Sequence, residues 1–555
     1  MTISSSQLRV RWLGKVPYAE ALAVQDSMFR HGSGNVLLLM EHPHVFTYGP
    51  SAELEKNLKC DPAAVGADFV KVKRGGDITY HGPGQLVGYP LVNLASKHGA
   101  DGPADSVAYV RSVEQVIINS LHEIGATSAD RFDGYPGVWI DAHGDNPRKI
   151  CAIGVRVGRR RTMHGFAVNV STDLDFMTTN IVPCGIAEYP VTSLEAEGIT
   201  MSMKEFADVV ARHSADMWGD GDMERQDVAW KHTPDDLSAF SRGEGPGQPV
   251  RMLGRLARAG VEDSIPLSER KPEWLRPHVK HGEEVLTLKK TLRDLSLVTV
   301  CEEAGCPNLS ECWNDGTATF MVLGERCTRA CGFCLVDTQK PEAPDETEPA
   351  NVAEAVARMG LKFAVLTMVA RDDLPDEGMA HVASCIHAIR QRNSTVQVET
   401  LISDARGTSS LELLIDARPD VFNHNVETVP RLQRAVRPSA GYARSLSVLA
   451  RGKAAGLTVK SGLIVGMGET DDEIVGVLAD LADVGVDIVT IGQYLRPTTH
   501  HLPVARWVEP EVFHMYKRVG EQFGIGHVES SPLTRSSYHA RESAEHAVPV
   551  TIGTR

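Results

Sequence analysis

Of ten cysteines in the chain, six crowd into one short stretch: Cys301, Cys306, Cys312, Cys327, Cys331 and Cys334. The run Cys327-Thr-Arg-Ala-Cys331-Gly-Phe-Cys334 spaces three thiols as C-x3-C-x2-C. Three thiolates can hold three irons of a four-iron, four-sulfur cluster. The fourth iron is then open, by the logic that leaves a catalytic zinc an open position, and a chelating amino acid could fill it through its amino and carboxylate groups. A structural zinc or a redox pair is the alternative, but zinc normally wants four ligands. Upstream, Cys301-Glu-Glu-Ala-Gly-Cys306-Pro-Asn-Leu-Ser-Glu-Cys312 offers a second set of three, again one ligand short. In a small secreted protein such crowding would suggest disulfides; in a chain of 555 residues with no export signal, metal ligation is the better reading.

The first half carries a different chemistry. Arg74-Gly-Gly-Asp-Ile-Thr-Tyr-His81-Gly-Pro-Gly-Gln85 is glycine-dense, which permits close backbone approach to a ligand. Alone it would read equally well as an ordinary hairpin, with His81 a structural histidine. Two further segments add reactive groups. Arg148-Lys149-Ile150-Cys151 puts a lysine at the head of an apolar strand, and Val182-Pro-Cys184-Gly185 puts a cysteine in a Pro/Gly turn where its sulfur is accessible. A nearby ammonium stabilises a thiolate, giving a nucleophile suited to thioester exchange. Cys151 is a second thiol near Lys149, but a mid-strand cysteine is more often buried and inert. Cys60 and Cys385 read as unremarkable core or surface thiols.

These groups need elements to hold them. Up to about Trp230 short strands (Val36 to Met40, Val87 to Leu94), glycine turns and helices (Ala104 to Ile124, Met203 to Trp218) mix without strict alternation, which predicts an α+β domain. From Asp235 to Pro277 breaker residues dominate and the stretch reads as a linker. Beyond Cys301 short apolar runs alternate with amphipathic helices. Strands are expected at Thr319 to Leu323, Ala364 to Thr367, Val396 to Ile402, Val421 to Asn423, Val459 to Val465 and Ile488 to Ile491. Helices between them, such as Asn351 to Gly360, Met379 to Gln391 and Asp471 to Gly485, imply parallel strands in a complete or partial barrel. Cys327 then falls just after the first barrel strand. The domains read as 1–234, a linker at 235–269, and 270–555.

Bulk composition sets limits. Hydrophobic content of 42% and charged content of 23% are those of a globular protein, and 555 residues exceed one ordinary core. A net charge of -15 argues against wholesale nucleic-acid binding. The basic runs Arg156 to Arg161 and Arg251 to Arg258 read as solvated faces. No apolar run approaches the roughly 20 residues that span a bilayer, and Met1 to Val10 has neither an apolar signal core nor an Arg-rich transit pattern. A cytoplasmic protein is expected, with neither nucleic acid nor membrane as partner.

The C-x3-C-x2-C spacing resembles that of radical S-adenosylmethionine enzymes, and the second half resembles lipoyl synthases from about Pro272 to Ala544. The resemblance rests on the C-x4-C-x5-C run, Arg270-Lys-Pro-Glu-Trp-Leu275, Arg371-Asp-Asp-Leu-Pro375, Val421-Phe-Asn-His-Asn425, Lys460-Ser-Gly-Leu-Ile-Val-Gly466, Ile491-Gly-Gln-Tyr-Leu-Arg-Pro497 and Arg535-Ser-Ser-Tyr-His-Ala540. It implies a partial (β/α)6 barrel and two four-iron clusters, one on Cys327, Cys331 and Cys334 that binds S-adenosylmethionine. The other, on Cys301, Cys306, Cys312 and Ser537, would be consumed as the sulfur donor for C6 and C8 of a bound octanoyl chain. The chain departs from the family pattern at Thr367-Met-Val-Ala370 and Ile402-Ser-Asp-Ala405, which bears on the pocket lining. The first half, about Leu8 to Leu194, resembles the octanoyl-carrier-protein:protein transferases, with a biotin/lipoate ligase-like fold. That resemblance rests on the Arg74 loop, on Lys149 and Cys184 with their flanks, and on Gly165-Phe-Ala-Val-Asn169. It implies Cys184 as acyl-accepting nucleophile and Lys149 as the group that lowers its pKa. It also implies an acyl pocket formed by Arg74, Gly75, Gly76, Asp77, Ile78, Thr79, Tyr80 and His81 with Ala152, Ile153, Gly154, Gly165, Phe166 and Ala167. The implied partners are octanoyl acyl carrier protein, lipoyl domains of 2-oxoacid dehydrogenases, the glycine cleavage H protein and an electron donor. Alternatives are an ATP-dependent lipoate or biotin ligase, which needs no nucleophilic cysteine, a biotin synthase-like enzyme, and a lipoyl synthase with a non-catalytic docking module in front.

Overall fold

The computed structural model describes residues 7–96, 104–230, 254–276, 295, 297–299, 316–338 and 340–547. It divides into two compact units, Met1–Trp230 and Lys231–Arg555. Cys301, Cys306, Cys312 and residues 235–253 of the expected linker lie outside the described residues. Among the described residues no helix is long and apolar enough to cross a membrane.

The first unit is built on an eight-stranded mixed sheet. Its centre is the antiparallel set Asn35–Glu41, Gln85–Leu91, Arg161–Asn169 and Arg148–Gly158. The edge is made late in the chain, where Met223–Asp227 pairs in parallel with the first strand, Leu8–Lys15. Trp230 then stacks on Trp12 with ring centroids 3.9 Å apart. Helices Ser106–Glu123 and Met203–Trp218 pack together and share a core with these strands through Val113, Ile117, Phe206 and Val210. Both start at capped ends. Asp105 accepts the Ala108 N–H, and Ser202 with Glu205 forms a capping box, which satisfies amides that the first helical turn leaves orphaned. A second sheet of Val45–Tyr48, Asp68–Lys71 and Thr79–His81 carries the glycine-rich loop.

The second unit is an open sheet in which seven parallel strands follow one another in chain order, from Thr317–Val322 to His527–Ser530, with the two-residue strand Val298–Thr299 antiparallel at the edge. The parallel run has seven strands where the resemblance implies six. The seventh, His-Val-Glu-Ser, is short and only half buried, so its apolar pattern is faint. Helices between the strands cover the sheet, and its core is continuous from Phe320 through Leu366 and Val398 to Phe422. Inside it lies a buried ion pair: Lys460 Nζ bonds Glu399 at 3.0 Å with both side chains fully buried, and Asn423 Nδ2 donates to the same carboxylate.

The second part of the stretch read as linker belongs to this unit. Residues Arg255–Arg258 form a helical turn; Leu256 and Val261 are buried, Arg431 donates to Ala259 O, and Ile265 bridges to Val504. Apolar residues at Leu256 and Val261 overrode the breaker composition around them. Of the basic runs, Arg159, Arg160 and Arg258 are solvated as expected, but Arg161 is buried, donating to Met28 O and Gly34 O, and Arg255 is buried and reaches Ala330 O.

Lys460→Met should leave Glu399 charged and buried, costing about 3–5 kcal/mol in the urea-unfolding transition of the second unit. Lys460→Met/Glu399→Leu should recover most of that loss. An unchanged midpoint in the single variant would show the pair to be dispensable.

Candidate functional site

In the first unit a cavity of about 270 Å³ opens between the sheet and the glycine-rich loop. Of the residues implied by resemblance, Arg74, Gly76, Asp77, Thr79, His81, Lys149, Ala152, Ile153, Gly154, Gly165, Phe166, Ala167 and Cys184 all line it. Gly75, Ile78 and Tyr80 do not. Side chains alternate along a strand, so Ile78 and Tyr80 turn away from His81 into a small separate core with Phe46, Met177 and Ile181. Gly154 explains how the loop comes so near: a Cβ there would lie 3.0 Å from Arg74 Cδ and 3.2 Å from Gly75 O.

Cys184 sits in the short turn Pro183–Gly185 with a left-handed backbone, φ 57°. Its amide is tied to Ile78 O at 2.9 Å, and its sulfur stands 4.0 Å from Thr79 Oγ1. Left-handed backbone at a non-glycine residue costs on the order of 1–3 kcal/mol and persists only where surroundings over-determine it. Lys149 reaches the cavity from the first residues of its strand, nearly buried, with Nζ 5.3 Å from the Trp139 ring centre. Its strand start is pinned from the Cys184 side of the chain, Lys149 N–H donating to Pro190 O and Thr192 N–H to Lys149 O. Cys151 is fully buried, and burial pushes its thiol well above the ordinary range, so it stays protonated behind the wall.

The loop is rigid for identifiable reasons. Arg74 is buried and spends its guanidinium on Thr47 O, Thr47 Oγ1, Gly75 O and Asp77 O. His81 is oriented by a chain of amides: Asn169 Nδ2 donates to Thr192 O, Gln85 Nε2 to Asn169 Oδ1, and Gln85 Oε1 faces His81 Nδ1 at 2.9 Å. Burial holds the His81 imidazole neutral, its pKa well below the usual value. Tyr18, Tyr89, Tyr135, His164 and Ile186 also line the cavity and were not singled out from sequence. Tyr18 and Tyr89 lie outside any motif. His164 directly precedes Gly165-Phe-Ala and lies one residue outside that motif.

Among the described residues of the second unit, several charged and thiol-bearing segments leave the carboxyl ends of parallel strands. Cys327, Cys331 and Cys334 follow Thr317–Val322; Asp372 follows Phe363–Met368; Asp404 follows Gln397–Leu401; Glu469 follows Thr458–Val465; Ser537, half-buried in a turn, follows His527–Ser530. That is the end at which parallel α/β sheets hold ligands. Arg329, between the first two thiols, is buried against Asp372 with Nη2–Oδ1 2.7 Å and against Asp404. The Ala370 amide donates to Cys327 Sγ at 3.3 Å, and Gly332 N–H bonds Val436 O. Burial, foremost, pushes the Cys331 thiol up to about 11, with Cys327 raising it further, and burial raises the Cys334 thiol too, with Cys331 adding to it.

Among the described residues no three His, Cys, Asp or Glu side chains converge on a single ion. Three soft thiols on one loop suit, by the chemistry of the donor set, a cluster in which each iron takes one thiolate. The Glu469 carboxylate is buried at the same end and accepts the Gly466 and Met467 amides.

Three family models match the chain: lipoyl protein ligase A/B catalytic domain over residues 17–215, N-terminal domain of lipoyl synthase of the radical SAM family over 249–306, and radical SAM superfamily over 321–481. Lipoyl synthase of Rubrobacter xylanophilus is 53% identical over 288 residues, 51% of this chain and 90% of that protein. Lipoyl synthase of Mycobacterium leprae is 49% identical over 302 residues, 54% of this chain and 96% of that protein. A structure described as a bi-partite lipoate protein ligase and its E2 lipoyl domain from Thermoplasma acidophilum superposes with TM-score 0.34 at 18% identity, over 40% of this chain and 88% of that one.

Brief iodoacetamide treatment of the native protein, followed by peptide mapping, should modify Cys184 and leave Cys151 untouched until the first unit is unfolded. Labelling of Cys151 at a comparable rate would remove the distinction drawn from burial.

Proposed function

Because the chain belongs to the lipoyl synthase family through its second half and carries a lipoyl protein ligase A/B catalytic domain before it, we propose that one polypeptide performs two successive steps of lipoyl assembly: octanoyl transfer to a carrier-domain lysine, then sulfur insertion at C6 and C8 of that chain. The observation that carries the first step is the meeting of Cys184 and Lys149, from different segments, in one largely apolar cavity.

Cys184 Sγ attacks the thioester carbonyl of an octanoyl carrier protein. A carbon–sulfur bond forms, the carrier's thiolate leaves, and the proton from Cys184 goes to it. The ε-amine of the target lysine then attacks the new thioester, an amide bond forms, and Cys184 leaves as thiolate. The Lys149 side chain, which lines the same cavity, serves as counter-charge to that thiolate and relays to it the proton that the attacking amine gives up. The apolar walls at Ile153, Phe166 and Ala167 accept the acyl chain and exclude water that would hydrolyse the thioester. An ATP-dependent ligase needs no nucleophilic cysteine, and the placement of Cys184 favours transfer over adenylation.

In the second unit Cys327, Cys331 and Cys334 would hold one four-iron cluster, and Cys301, Cys306, Cys312 and Ser537 a second that provides the sulfur. When bound, the first cluster with S-adenosylmethionine supplies the radical needed to break an unactivated methylene C–H bond, which no side chain can do. Arg329, held by Asp372 and Asp404, fixes the loop between the thiols. Glu469, whose buried carboxylate accepts the Gly466 and Met467 amides, would accept from the amino group of a bound amino acid. The proposed partners are octanoyl acyl carrier protein, lipoyl domains of 2-oxoacid dehydrogenases and of glycine cleavage H protein, and an electron donor.

The test is an anaerobic reaction of reconstituted protein with octanoyl carrier protein, apo lipoyl domain, reductant and S-adenosylmethionine, read by intact mass. Octanoyl addition followed by gain of two sulfurs is expected. Cys184→Ala should abolish the first mass shift and spare sulfur insertion on a pre-octanoylated domain. Sulfur insertion without any octanoyl transfer by the unaltered protein would sink the transferase reading and leave the first unit a docking module.

A further inference from the structure

The turn that carries Cys184 spends its own amides inside the fold. Cys184 N–H donates to Ile78 O at 2.9 Å, Gly185 N–H to Val182 O at 3.0 Å and Ile186 N–H to Pro183 O at 3.1 Å. The Lys149 amide is taken as well, by Pro190 O. Attack of a thiolate on an acyl carbonyl drives negative charge onto the carbonyl oxygen, and a donor held ready for that oxygen is usually the largest single contribution to such a reaction. The turn has no amide left to supply it.

Thr79 stands where the turn falls short. Its hydroxyl lies 4.0 Å from Cys184 Sγ on the wall of the same cavity and has no other partner among the described residues. Nucleophile and hydroxyl are fixed to one peptide unit, because the Ile78 carbonyl that accepts the Cys184 amide is bonded to the nitrogen of Thr79. Thr79 opens the strand Thr79–His81 and pairs with Thr47 across it. Alternation along that strand sends Tyr80 the other way, where its hydroxyl meets His44 Nδ1 at 2.8 Å. The register that buries Tyr80 therefore commits Thr79 to the cavity, and a β-branched side chain has few rotamers in which to leave it. From 4.0 Å beyond the sulfur, the hydroxyl can meet an oxygen on the carbon which that sulfur attacks, at a hydrogen-bond length of about 2.7 Å.

Resting on the transferase reading of this cavity, we infer that Thr79 is a catalytic residue whose O–H donates to the oxyanion formed in each half of the reaction. As the bond from Cys184 Sγ to the acyl carbon forms, the carbonyl π pair moves onto oxygen, and the Thr79 hydroxyl bonds it while keeping its own proton. The pair returns as the bond to the carrier's sulfur breaks, and the proton from Cys184 goes to that sulfur. In the second half the lysine nitrogen forms the new bond and the same oxygen takes the pair again. The bond to Cys184 Sγ then breaks, and the proton given up by the amine passes to the thiolate.

Two reactions of Cys184 isolate this role. Octanoyl carrier protein acylates the sulfur through an oxyanion, whereas iodoacetamide alkylates it by displacement and forms none. Both rates would be measured on the full-length protein by mass, with protection of Cys151 reporting that the first unit is folded. Thr79→Val, which exchanges the hydroxyl for a methyl of similar size, should slow acylation about 100-fold and leave alkylation within about twofold of wild type. Thr79→Ser should regain about tenfold or more of the lost acylation rate. Acylation of Thr79→Val near the wild-type rate overturns the assignment. So does a parallel fall in both rates, which would place the hydroxyl's action on the thiol itself. Should Thr79→Val expose Cys151, Thr79→Ala supplies the same comparison. If the unaltered protein is alkylated at Cys184 but never acylated by octanoyl carrier protein, the transferase reading itself has failed, and the assignment falls with it.

Discussion

A single guanidinium, that of Arg329, organises the second unit. It lies between two thiols of the C-x3-C-x2-C run and is buried against carboxylates from the ends of two successive strands, Asp372 and Asp404. A charge taken out of water is tolerated only when paired and hydrogen-bonded, so the contact holds three loops in one relation or is lost altogether. Thr328 adds to it by bonding Asp372 Oδ2 at 2.7 Å. The cysteine loop is therefore not a free strap awaiting a cluster. It is fastened to the sheet at its middle, leaving the thiols to be set by where the strand ends stand.

The first unit solves the opposite problem. For the proposed transfer, its sulfur has to be reachable by a thioester and then an amine partner, while the acyl chain stays dry. The sheet supplies the dry wall through strands buried on both faces, such as Arg161–Asn169. The turn at Pro183–Gly185 supplies the access, holding Cys184 out on a left-handed backbone. Two thiols on neighbouring segments thus acquire different fates from burial alone, Cys151 sealed in and Cys184 left at the rim.

Much of this was legible in the sequence. Helix Met203–Trp218 and strand Val421–Asn423 are read with their observed ends, because strong apolar periodicity and clear breakers bracket them. The motif residues fall together where the glycine spacing and the Lys149 and Cys184 flanks point. What stayed hidden follows from physics that single-sequence patterns do not carry. Tyr18 joins the cavity from the helix Tyr18–His31, far from any motif. Ile78 and Tyr80 leave it because strand alternation divides a motif between two faces. Gly254 to Ile265 reads as linker because it continues the Gly-, Pro- and Ser-rich run Ser241 to Pro249 and has too few apolar residues to show a period.

The pairing of Met223–Asp227 with Leu8–Lys15 has a bearing on how the chain can be dissected. In the second unit each strand pairs with its successor, so the sheet can grow as the chain is made. The first unit is circular by comparison: its opening strand waits for the last one, some 210 residues later, and Trp230 seals the junction on Trp12. A ribosome has to deliver the whole of it before the edge is covered. A fragment cut at residue 215, where the family match stops, would leave Leu8–Lys15 as a bare apolar edge, open to pairing with another copy. The smallest self-sufficient piece ends after Trp230.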